Sequence, residues 1–355
     1  MNRDSFTHSG TPSRVVFGFG SIGKLPEEID RLGASKALVL CTPNQVSDAQ
    51  QVREILGSRS VGVYDGAVMH VPMETAKQAR RIASELGADC AIAIGGGSTV
   101  GLGKAIALES GLPIVAVPTT YAGSEMTPIY GLTEAGVKKT GRDFRVLPKT
   151  VIYDPDLSTE LPLAMTIASG INAIAHAAEA LYAFDGNPVL SLMAEEGVRA
   201  MAVALAGLQH DLKDKGARWD ALYATWLCGS VLGQVSMGLH HKICHTLGGA
   251  CDLPHAETHA VMLPHTIAYN SDAAPEAMMR LARALCADSG PQGLYNLLRR
   301  LGVPSALHQL GMPEAGLDRV TELAMQTPYP NPRPLQGTAI RALLQRAYDG
   351  APPRP

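Results

Sequence analysis

The sequence predicts an α/β domain with a Rossmann-like parallel sheet, covered by helices on both faces, followed by an all-helical domain. Two observations carry this prediction. Up to about residue 155, short apolar runs alternate with segments of helical spacing, and beyond it the strand signals disappear. A chain of 355 residues is also long for a single core. Because Pro155 follows the last strand-like run, we expect two domains, residues 1–156 and 157–355.

The predicted elements of the first domain follow one another in regular order. Runs typical of buried strands lie over residues 15–18, 36–42, 61–64, 90–94, 113–117 and 150–154, and helical spacing lies over 21–31, 47–56, 73–86 and 99–110. A hairpin is predicted from residues 129–133 and 137–140, with its turn at 134–136. Such alternation builds a parallel sheet whose ligand site lies at the carboxyl ends of the strands.

Helices alone are predicted for the second domain. Helical spacing covers residues 164–184, 190–208, 217–237, 256–269, 275–287, 291–301, 314–324 and 338–348. No internal repeat stands out in this half of the chain.

Charge and composition exclude several classes of partner. A net charge of −3 gives no field that would attract nucleic acid or an acidic membrane surface. The N-terminal residues lack the apolar core of a signal peptide, and Lys104 and Glu109 interrupt the most apolar region, so no membrane span is predicted. The six cysteines form no CxxC pair and are typical of reduced thiols. We therefore expect a cytoplasmic protein.

A glycine-rich turn stands between a predicted strand and a predicted helix of the first domain. It consists of Gly95, Gly96, Gly97 and Ser98. Glycines at such a turn let backbone amides approach a pyrophosphate, and the helix N-terminus favours its negative charge. Tight strand-to-helix packing is the alternative that the residues leave open.

Two further segments lie at strand ends on the same predicted edge. The hydroxyl groups of residues 118–125 can hydrogen-bond a nicotinamide or a ribose, or merely cap the structure that follows. After the strand over 36–42, an acidic residue would bind an adenosine ribose, but Thr42 and Asn44 stand there without a carboxylate. We therefore expect weak discrimination between NADH and NADPH.

The second domain contains a segment rich in histidine, residues 238–265. Six of the eleven histidines fall inside it: His240, His241, His245, His255, His259 and His265. His241 and His245 share one helix face, and a Gly-Gly break with an Asp-Leu-Pro turn would fold His255 back toward them. Such a cluster suits a metal, a proton relay or an anionic substrate. The alternative is that several are core or capping histidines.

An earlier helix adds Asn172 and His176, four residues apart on one face. With His241 and His255 they have the layout of a four-ligand metal site. The amide of Asn172 is, however, a poor ligand for a divalent transition metal, which prefers anionic oxygen, imidazole or thiolate. The residues therefore predict a site without a metal.

Along residues 15–348 the chain resembles the iron-containing alcohol dehydrogenase superfamily. The shared motifs are GGGS at 95–98, PTT at 118–120, DP at 154–155, GINAIAHAAE at 170–179 and the histidine motif at 241–255. The segments PTTYAGSEMTPIYGLTE and HHKICHTLGGACDLPHAETHAVMLPH are most similar to the members that reduce maleylacetate. The resemblance implies a site in the cleft between the two domains and a homodimer. It also implies reduction of maleylacetate to 3-oxoadipate by NADH or NADPH, in the catabolism of aromatic compounds.

The resemblance also implies roles for individual residues. Gly95, Gly96, Gly97 and Ser98 would hold the pyrophosphate, Thr119, Thr120 and Ser124 would line the nicotinamide, and Lys139 would reach a ribose. His176, His241 and His255 match metal-ligand positions of metal-dependent relatives, and His245 matches their cleft histidine. Asn172 stands where those relatives have aspartate, which favours a metal-free site.

The implied substrate is a small dicarboxylate with a carbon–carbon double bond conjugated to a ketone. Hydride addition to the carbon β to the ketone gives an enolate, which needs a stabilising group and a proton donor. We assign enolate stabilisation to His241 and His255 and proton donation to His245. Lys242 would pair with a carboxylate of the substrate, and Tyr121 would pack on it or donate a hydrogen bond.

Three other functions stay open. A metal-dependent alcohol dehydrogenase would share the fold, but Asn172 counts against it. An enzyme of the dehydroquinate synthase type would require zinc and its full ligand set. A nucleotide-binding module without catalytic activity would not need the histidine cluster. Chloromaleylacetate is an alternative substrate that the sequence does not separate from maleylacetate.

Overall fold

The protein consists of two compact units, each with a core of its own. A computed structural model describes residues 6, 8–10, 13–134, 137–326 and 329–355, apart from the side chains of Val137 and Lys138. Contacts between residues divide the chain between Leu161 and Pro162. The division thus follows Leu161, whereas the sequence places the boundary after residue 156.

The first unit is built on a parallel sheet of six strands. The strands are β1 (Arg14–Phe17), β2 (Ala37–Leu40), β3 (Ser60–Tyr64), β4 (Cys90–Gly95), β5 (Ile114–Pro118) and, after two strands outside this sheet, β8 (Thr150–Tyr153). They lie in the order β1-β8-β5-β4-β2-β3, and each neighbouring pair is parallel. The order brings the ends of β5, β4 and β2 together at one edge.

Helices cover both faces of this sheet, as the sequence predicts. They are α1 (Leu25–Arg31), α2 (Val46–Leu56), α3 (Met73–Glu85) and α4 (Gly97–Ser110). Side chains alternate along a strand, so each strand contributes to two cores. Val39 of β2 lies in the core with α1 and α2, whereas Leu38 and Leu40 lie in the core with α3 and α4.

The predicted hairpin is formed by the antiparallel strands β6 (Ile129–Glu134) and β7 (Val137–Arg142). Leu132 of β6 packs into the core beneath α3 and α4. Residues 135 and 136 of the predicted turn lie outside the described residues.

The second unit is helical throughout its described part. Its helices are α5 (Leu163–Ala180), α6 (Pro188–His210), α7 (Lys215–Leu232), α8 (Leu239–Cys251), α9 (His255–Tyr269), α10 (Pro275–Ala284), α11 (Gly290–Arg300), α12 (Gly316–Gln326) and α13 (Gly337–Asp349). Helices α8 and α9, which carry the histidine-rich segment, share an apolar core with α12 and α13. Among the described residues, no helix is long and apolar enough to cross a membrane.

The predicted break at the two glycines of the histidine-rich segment is wrong. Helix α8 continues through Gly248 and Gly249 and ends at Asp252, which takes a left-handed conformation with φ 52°. A glycine inside a helix costs only about 1 kcal/mol, and the packed helix tolerates it. The buried Leu253 belongs to the core of α8 and α9, which fixes the turn directly after Asp252.

Helices α6 and α7 pack closely at a glycine. A Cβ atom added to Gly197 would lie 2.7 Å from Cys228 Sγ, whereas one added to Gly249 of α8 would meet nothing within 4 Å. Alanine improves helix propensity equally at both positions, so the difference between the two variants isolates the packing term.

We expect Gly197→Ala to be less stable than Gly249→Ala by about 1–3 kcal/mol, because the added methyl overpacks the helix contact. Denaturant unfolding followed by circular dichroism measures both free energies of unfolding. Equal stabilities of the two variants would show that the contact relaxes without cost.

Candidate active site

The glycine-rich turn closes the end of β4 and opens α4. Gly95 has a φ of 145°, and a Cβ there would lie 2.6 Å from both Gln45 Oε1 and Thr99 Oγ1. Gly96 is the N-cap of α4 and provides no capping side chain, so the first amides of the helix stay available to an anion. The structure thus gives the turn the geometry expected of a phosphate site.

The predicted nicotinamide residues lie beside this turn. Thr119 N–H donates to Gly95 O at 3.1 Å, and a Cβ on Gly96 would lie 3.0 Å from Thr120 Oγ1. Ser124 follows in a short 3₁₀ turn. Tyr121 is fully buried, and its contact with a substrate stays a prediction.

Gln45 links the ends of two strands at this edge of the sheet, and this role was not predicted from the sequence. Thr42 Oγ1 donates to Gln45 Oε1 at 3.0 Å, and Gln45 Nε2 donates to Thr119 Oγ1 at 3.0 Å. The side chain therefore spans from the end of β2 to the end of β5, across Gly95. Only the neighbouring Thr42 and Asn44 drew notice in the sequence, because the reach of a glutamine is not visible in a pattern.

No carboxylate directly follows β2, as the sequence shows, but two carboxylates from other elements lie near its end. Burial, together with the nearby Asp65 and Asp48, raises the pKa of Cys41 to about 11. Asp65 comes from the adjacent strand end, where Cys41 N–H donates to Tyr64 O at 3.0 Å, and Asp48 comes from the first turn of α2. Neither follows β2 directly, so the linear sequence conceals them.

Lys104 is a second residue of this edge that the sequence does not single out for function. Its fully buried ammonium donates to Ser124 O at 2.7 Å, Ser124 Oγ at 3.2 Å, Thr127 Oγ1 at 2.9 Å and Ile129 O at 2.7 Å. Burial lowers the pKa of Lys104 to about 7, and the nearby Glu125 opposes the shift. Lys104 therefore ties the segment that contains Ser124 to helix α4.

Lys139, predicted to reach a ribose, forms an ion pair in this structure. Its Nζ pairs with Glu134 Oε2 at 2.6 Å on the exposed hairpin. A contact with a ribose would need this exposed pair to open, and the role stays a prediction.

In the helical unit, the structure brings the predicted histidines together. Ring centroids lie 5.1 Å apart for His176 and His241, 6.3 Å for His241 and His245, and 5.8 Å for His245 and His255. The histidines of the cluster differ in solvent exposure: His176 and His241 are buried, whereas His245 and His255 are exposed. A ligand from solvent thus meets His245 and His255 first.

Glu179 orients the cluster and was missed in the sequence, although it lies three residues after His176. Its Oε2 accepts a hydrogen bond from His241 Nδ1 at 2.5 Å, and its Oε1 accepts one from the His240 backbone N–H at 2.8 Å. Because Nδ1 donates to the carboxylate, Nε2 is the nitrogen of His241 that faces away from it.

Behind these residues lies a hydrogen-bonded pair of fully buried histidines. Thr266 Oγ1 donates to carbonyl oxygens of its own helix, so it accepts from His240 Nδ1 at 3.0 Å. His240 Nε2 then accepts from His259 Nδ1 at 2.9 Å. Burial, reinforced by the neighbouring histidines, lowers the pKa of His240 and His259 well below the usual value. Both are therefore neutral core histidines, which was the alternative reading of the segment.

Several buried polar atoms point to a ligand in this unit. Among the described residues, Asn172 Oδ1, His176 Nδ1, His241 Nε2 and His259 Nε2 are buried without a hydrogen-bond partner. Such atoms are rare in folded proteins because each lost hydrogen bond is costly. A polar ligand that binds among them would satisfy them.

The donor set does not fit the iron of the family resemblance. His176, His241 and His255 with the amide of Asn172 form a neutral set, whereas non-haem Fe(II) sites include a carboxylate. Within the described part of the chain, a different group of residues has three potential metal-ligand atoms within 4.8 Å of one another. These residues are His240, Cys244 and His259. The two imidazoles of that trio are hydrogen-bonded to each other, and burial raises the pKa of the Cys244 thiol well above its usual value.

Two remaining residues of the segment take different places. Lys242 is partly exposed on α8, and its pairing with a substrate carboxylate stays a prediction. His265 is buried near Arg346, and burial lowers its pKa to about 4. It behaves as a core histidine.

Comparisons with known proteins agree along the whole chain. Residues 12–155 match the family model described as iron-containing alcohol dehydrogenase, and residues 166–348 match the C-terminal model of the Fe-containing alcohol dehydrogenase family. The maleylacetate reductase of Burkholderia cepacia is 63% identical over 350 residues, 99% of each chain. That of Sphingobium indicum is 55% identical over 98% of this chain and 99% of its own.

Solved structures of related proteins are also similar to this chain along nearly its whole length. The crystal structure of maleylacetate reductase from Rhizobium sp. strain MTP-10005 has a TM-score of 0.96 at 53% identity and covers 99% of this chain and 100% of its own. A 1,3-propanediol oxidoreductase has a TM-score of 0.90 at 27% identity, with 97% of this chain and 100% of its own covered.

We expect Lys104→Met to weaken NADH binding by about tenfold, because Ser124 loses the donor that holds it. Nicotinamide fluorescence titration measures the dissociation constant. Arg80→Met, which removes hydrogen bonds to Ala105 O on the same helix, is the matched control and should bind NADH normally. Unchanged affinity in a folded Lys104→Met protein would contradict the expectation.

Proposed function

Because this chain belongs to the iron-containing alcohol dehydrogenase family, we propose that it reduces the carbon–carbon double bond of maleylacetate to give 3-oxoadipate. The observation that carries the proposal is the histidine cluster itself, with an amide where a metal site needs a carboxylate. Such a cluster suits a dianionic enone better than a metal-bound alkoxide. The chain is accordingly an oxidoreductase that acts on a C=C bond.

A nicotinamide cofactor supplies the hydride. The amides of the turn at 95–98 and of the N-terminus of α4 bind its pyrophosphate, and Thr119, Thr120 and Ser124 bind its nicotinamide end. Thr119 accepts from Gln45 and Ser124 accepts from Lys104, so the proton of each hydroxyl is left to donate to the ligand. Either NADH or NADPH completes the reaction.

The reaction takes up one hydride and one proton. Hydride addition to the carbon β to the ketone moves the π electrons onto the ketone oxygen and gives an enolate. His241 through Nε2 and His255 stabilise this oxygen, and Glu179 keeps His241 Nδ1 occupied. His245, exposed at the mouth of the cluster, then donates a proton to the α carbon.

The substrate carries two carboxylates, and the exposed part of the cluster receives them. Lys242 and the imidazoles of His245 and His255 are the groups at the mouth that can carry positive charge. His176 stacks on His241 and closes the buried side.

We further propose that the enzyme is a cytoplasmic homodimer, as the resemblance in its sequence implies.

We expect His245→Ala to lower kcat by about 10²–10⁴-fold if it is the general acid. The loss of NADH absorbance with maleylacetate measures kcat, and chloromaleylacetate is assayed in parallel. His210→Ala, at an exposed histidine of α6, is the control that should retain full activity.

An unchanged kcat in His245→Ala would remove that residue from the role. Propanol oxidation with NAD⁺, without maleylacetate turnover, would favour a metal-dependent alcohol dehydrogenase instead. Binding of NADH without any turnover would favour a nucleotide-binding module.

We expect the wild-type enzyme to keep its activity after dialysis against EDTA, with no stoichiometric metal by elemental analysis, because its donor set lacks an anionic ligand. Asn172→Asp restores a carboxylate opposite the histidines and should bind about one Fe²⁺ or Zn²⁺ per chain. Loss of wild-type activity on chelation, reversed by Fe²⁺ or Zn²⁺, would contradict the metal-free reading.

A further inference from the structure

The hydrogen bonds around Gln45 fix the direction of its amide. The side chain accepts from Thr42 at Oε1 and donates to Thr119 from Nε2, each at 3.0 Å. Oε1 of Gln45 therefore faces Thr42, and Nε2 faces Thr119. Asp48 lies three residues after Gln45, in the first turn of α2.

This direction determines what Thr42 can offer to a ligand. The single hydroxyl proton of Thr42 is donated to Gln45 Oε1, so the Thr42 oxygen presents only lone pairs. Lone pairs accept a hydrogen bond from a ribose hydroxyl. They repel a phosphate group, whose oxygen atoms are acceptors and carry negative charge.

The charges near the end of β2 act in the same direction. Asp48 and Asp65 both lie close enough to Cys41 to raise its pKa. Asp65 follows the last residue of β3, which pairs with Leu40 of β2. In parallel α/β sheets of this kind, the end of such a strand is where the adenosine ribose is bound. A 2′-phosphate there would approach two carboxylates and a hydroxyl group whose proton is already donated to Gln45.

We propose that Gln45 is a positioning residue that makes the enzyme selective for NADH over NADPH, by holding the Thr42 hydroxyl as an acceptor for the adenosine ribose. The proposal rests on the proposed use of a nicotinamide cofactor. It differs from the sequence-based expectation of weak discrimination, and the ratio of the two dissociation constants decides between them.

The test compares the dissociation constants of NADH and NADPH, measured by nicotinamide fluorescence without maleylacetate. The wild-type protein should bind NADH at least about tenfold more tightly than NADPH. In Gln45→Leu the Thr42 hydroxyl regains its proton for a phosphate, and we expect this preference to fall at least about fivefold. Gln50→Leu, at an exposed position of the same helix, is the matched control and should keep the wild-type ratio.

A double-mutant cycle separates this role from a structural one. Thr42→Val removes the hydroxyl through which Gln45 acts, so adding Gln45→Leu to Thr42→Val should leave the ratio unchanged. Thermal unfolding confirms that each variant is folded, and Gln45→Asn, which keeps the amide but shortens the side chain, takes the place of Gln45→Leu if that variant unfolds.

Several results would overturn the inference. One is a wild-type protein without preference, and another is an equal change of the ratio in the Thr42→Val background. Loss of folding in both Gln45 variants would also overturn it, by showing a structural requirement. NADH binding with the expected ratios but without maleylacetate turnover would sink the proposed function alone, whereas binding of neither cofactor would sink both.

Discussion

One carboxylate, that of Glu179 on α5, sets the geometry of the histidine cluster. Its oxygens accept from the backbone N–H groups of His240 and His241, in the first turn of α8, where amides have no partner within the helix. The N-cap of α8, Gly238, has no side chain to fill this role. The same carboxylate accepts from His241 Nδ1. It thus fixes both the start of α8 and the orientation of His241, and its negative charge suits a helix N-terminus.

This use of Glu179 supports the proposal that the cluster works without a metal. The carboxylate lies on the Nδ1 side of His241 and is already committed to three N–H groups, so it does not serve as a ligand on the Nε2 side. Among the described residues of this unit, the Asn172 amide oxygen and imidazole nitrogens are buried without a hydrogen-bond partner, and burial lowers the pKa of His176 and His259 well below the usual value. A neutral site holds a divalent cation poorly. Under the proposed function, an incoming dianion instead favours the charged forms of the exposed His245 and His255, because opposite charges stabilise each other.

The elements of the fold follow from the sequence, and the connections between side chains do not. Hydrophobic periodicity predicts the sheet, its helices on both faces and the helical unit, because burial alone decides these patterns. Histidine spacing also predicts that His241, His245 and His255 come together. Glu179, Gln45 and Asp65 were missed because each acts on an element distant in the chain. The low helix propensity of glycine led to a wrong prediction for the end of α8, since tertiary packing outweighs a cost of about 1 kcal/mol per glycine.

Two of the residues that were missed, Glu179 and Gln45, have one feature in common: each fixes the direction of a group of the candidate site. Glu179 accepts a hydrogen bond from His241 Nδ1, which leaves Nε2 of His241 to face the ligand. Gln45 accepts a hydrogen bond from the Thr42 hydroxyl and donates one to the Thr119 hydroxyl. A hydroxyl or an imidazole that is free to rotate must be reoriented at the moment of reaction, whereas a fixed one is already in place. Under the two proposals, residues that do not themselves bind the ligand therefore decide which charges and which hydroxyl groups the site accepts.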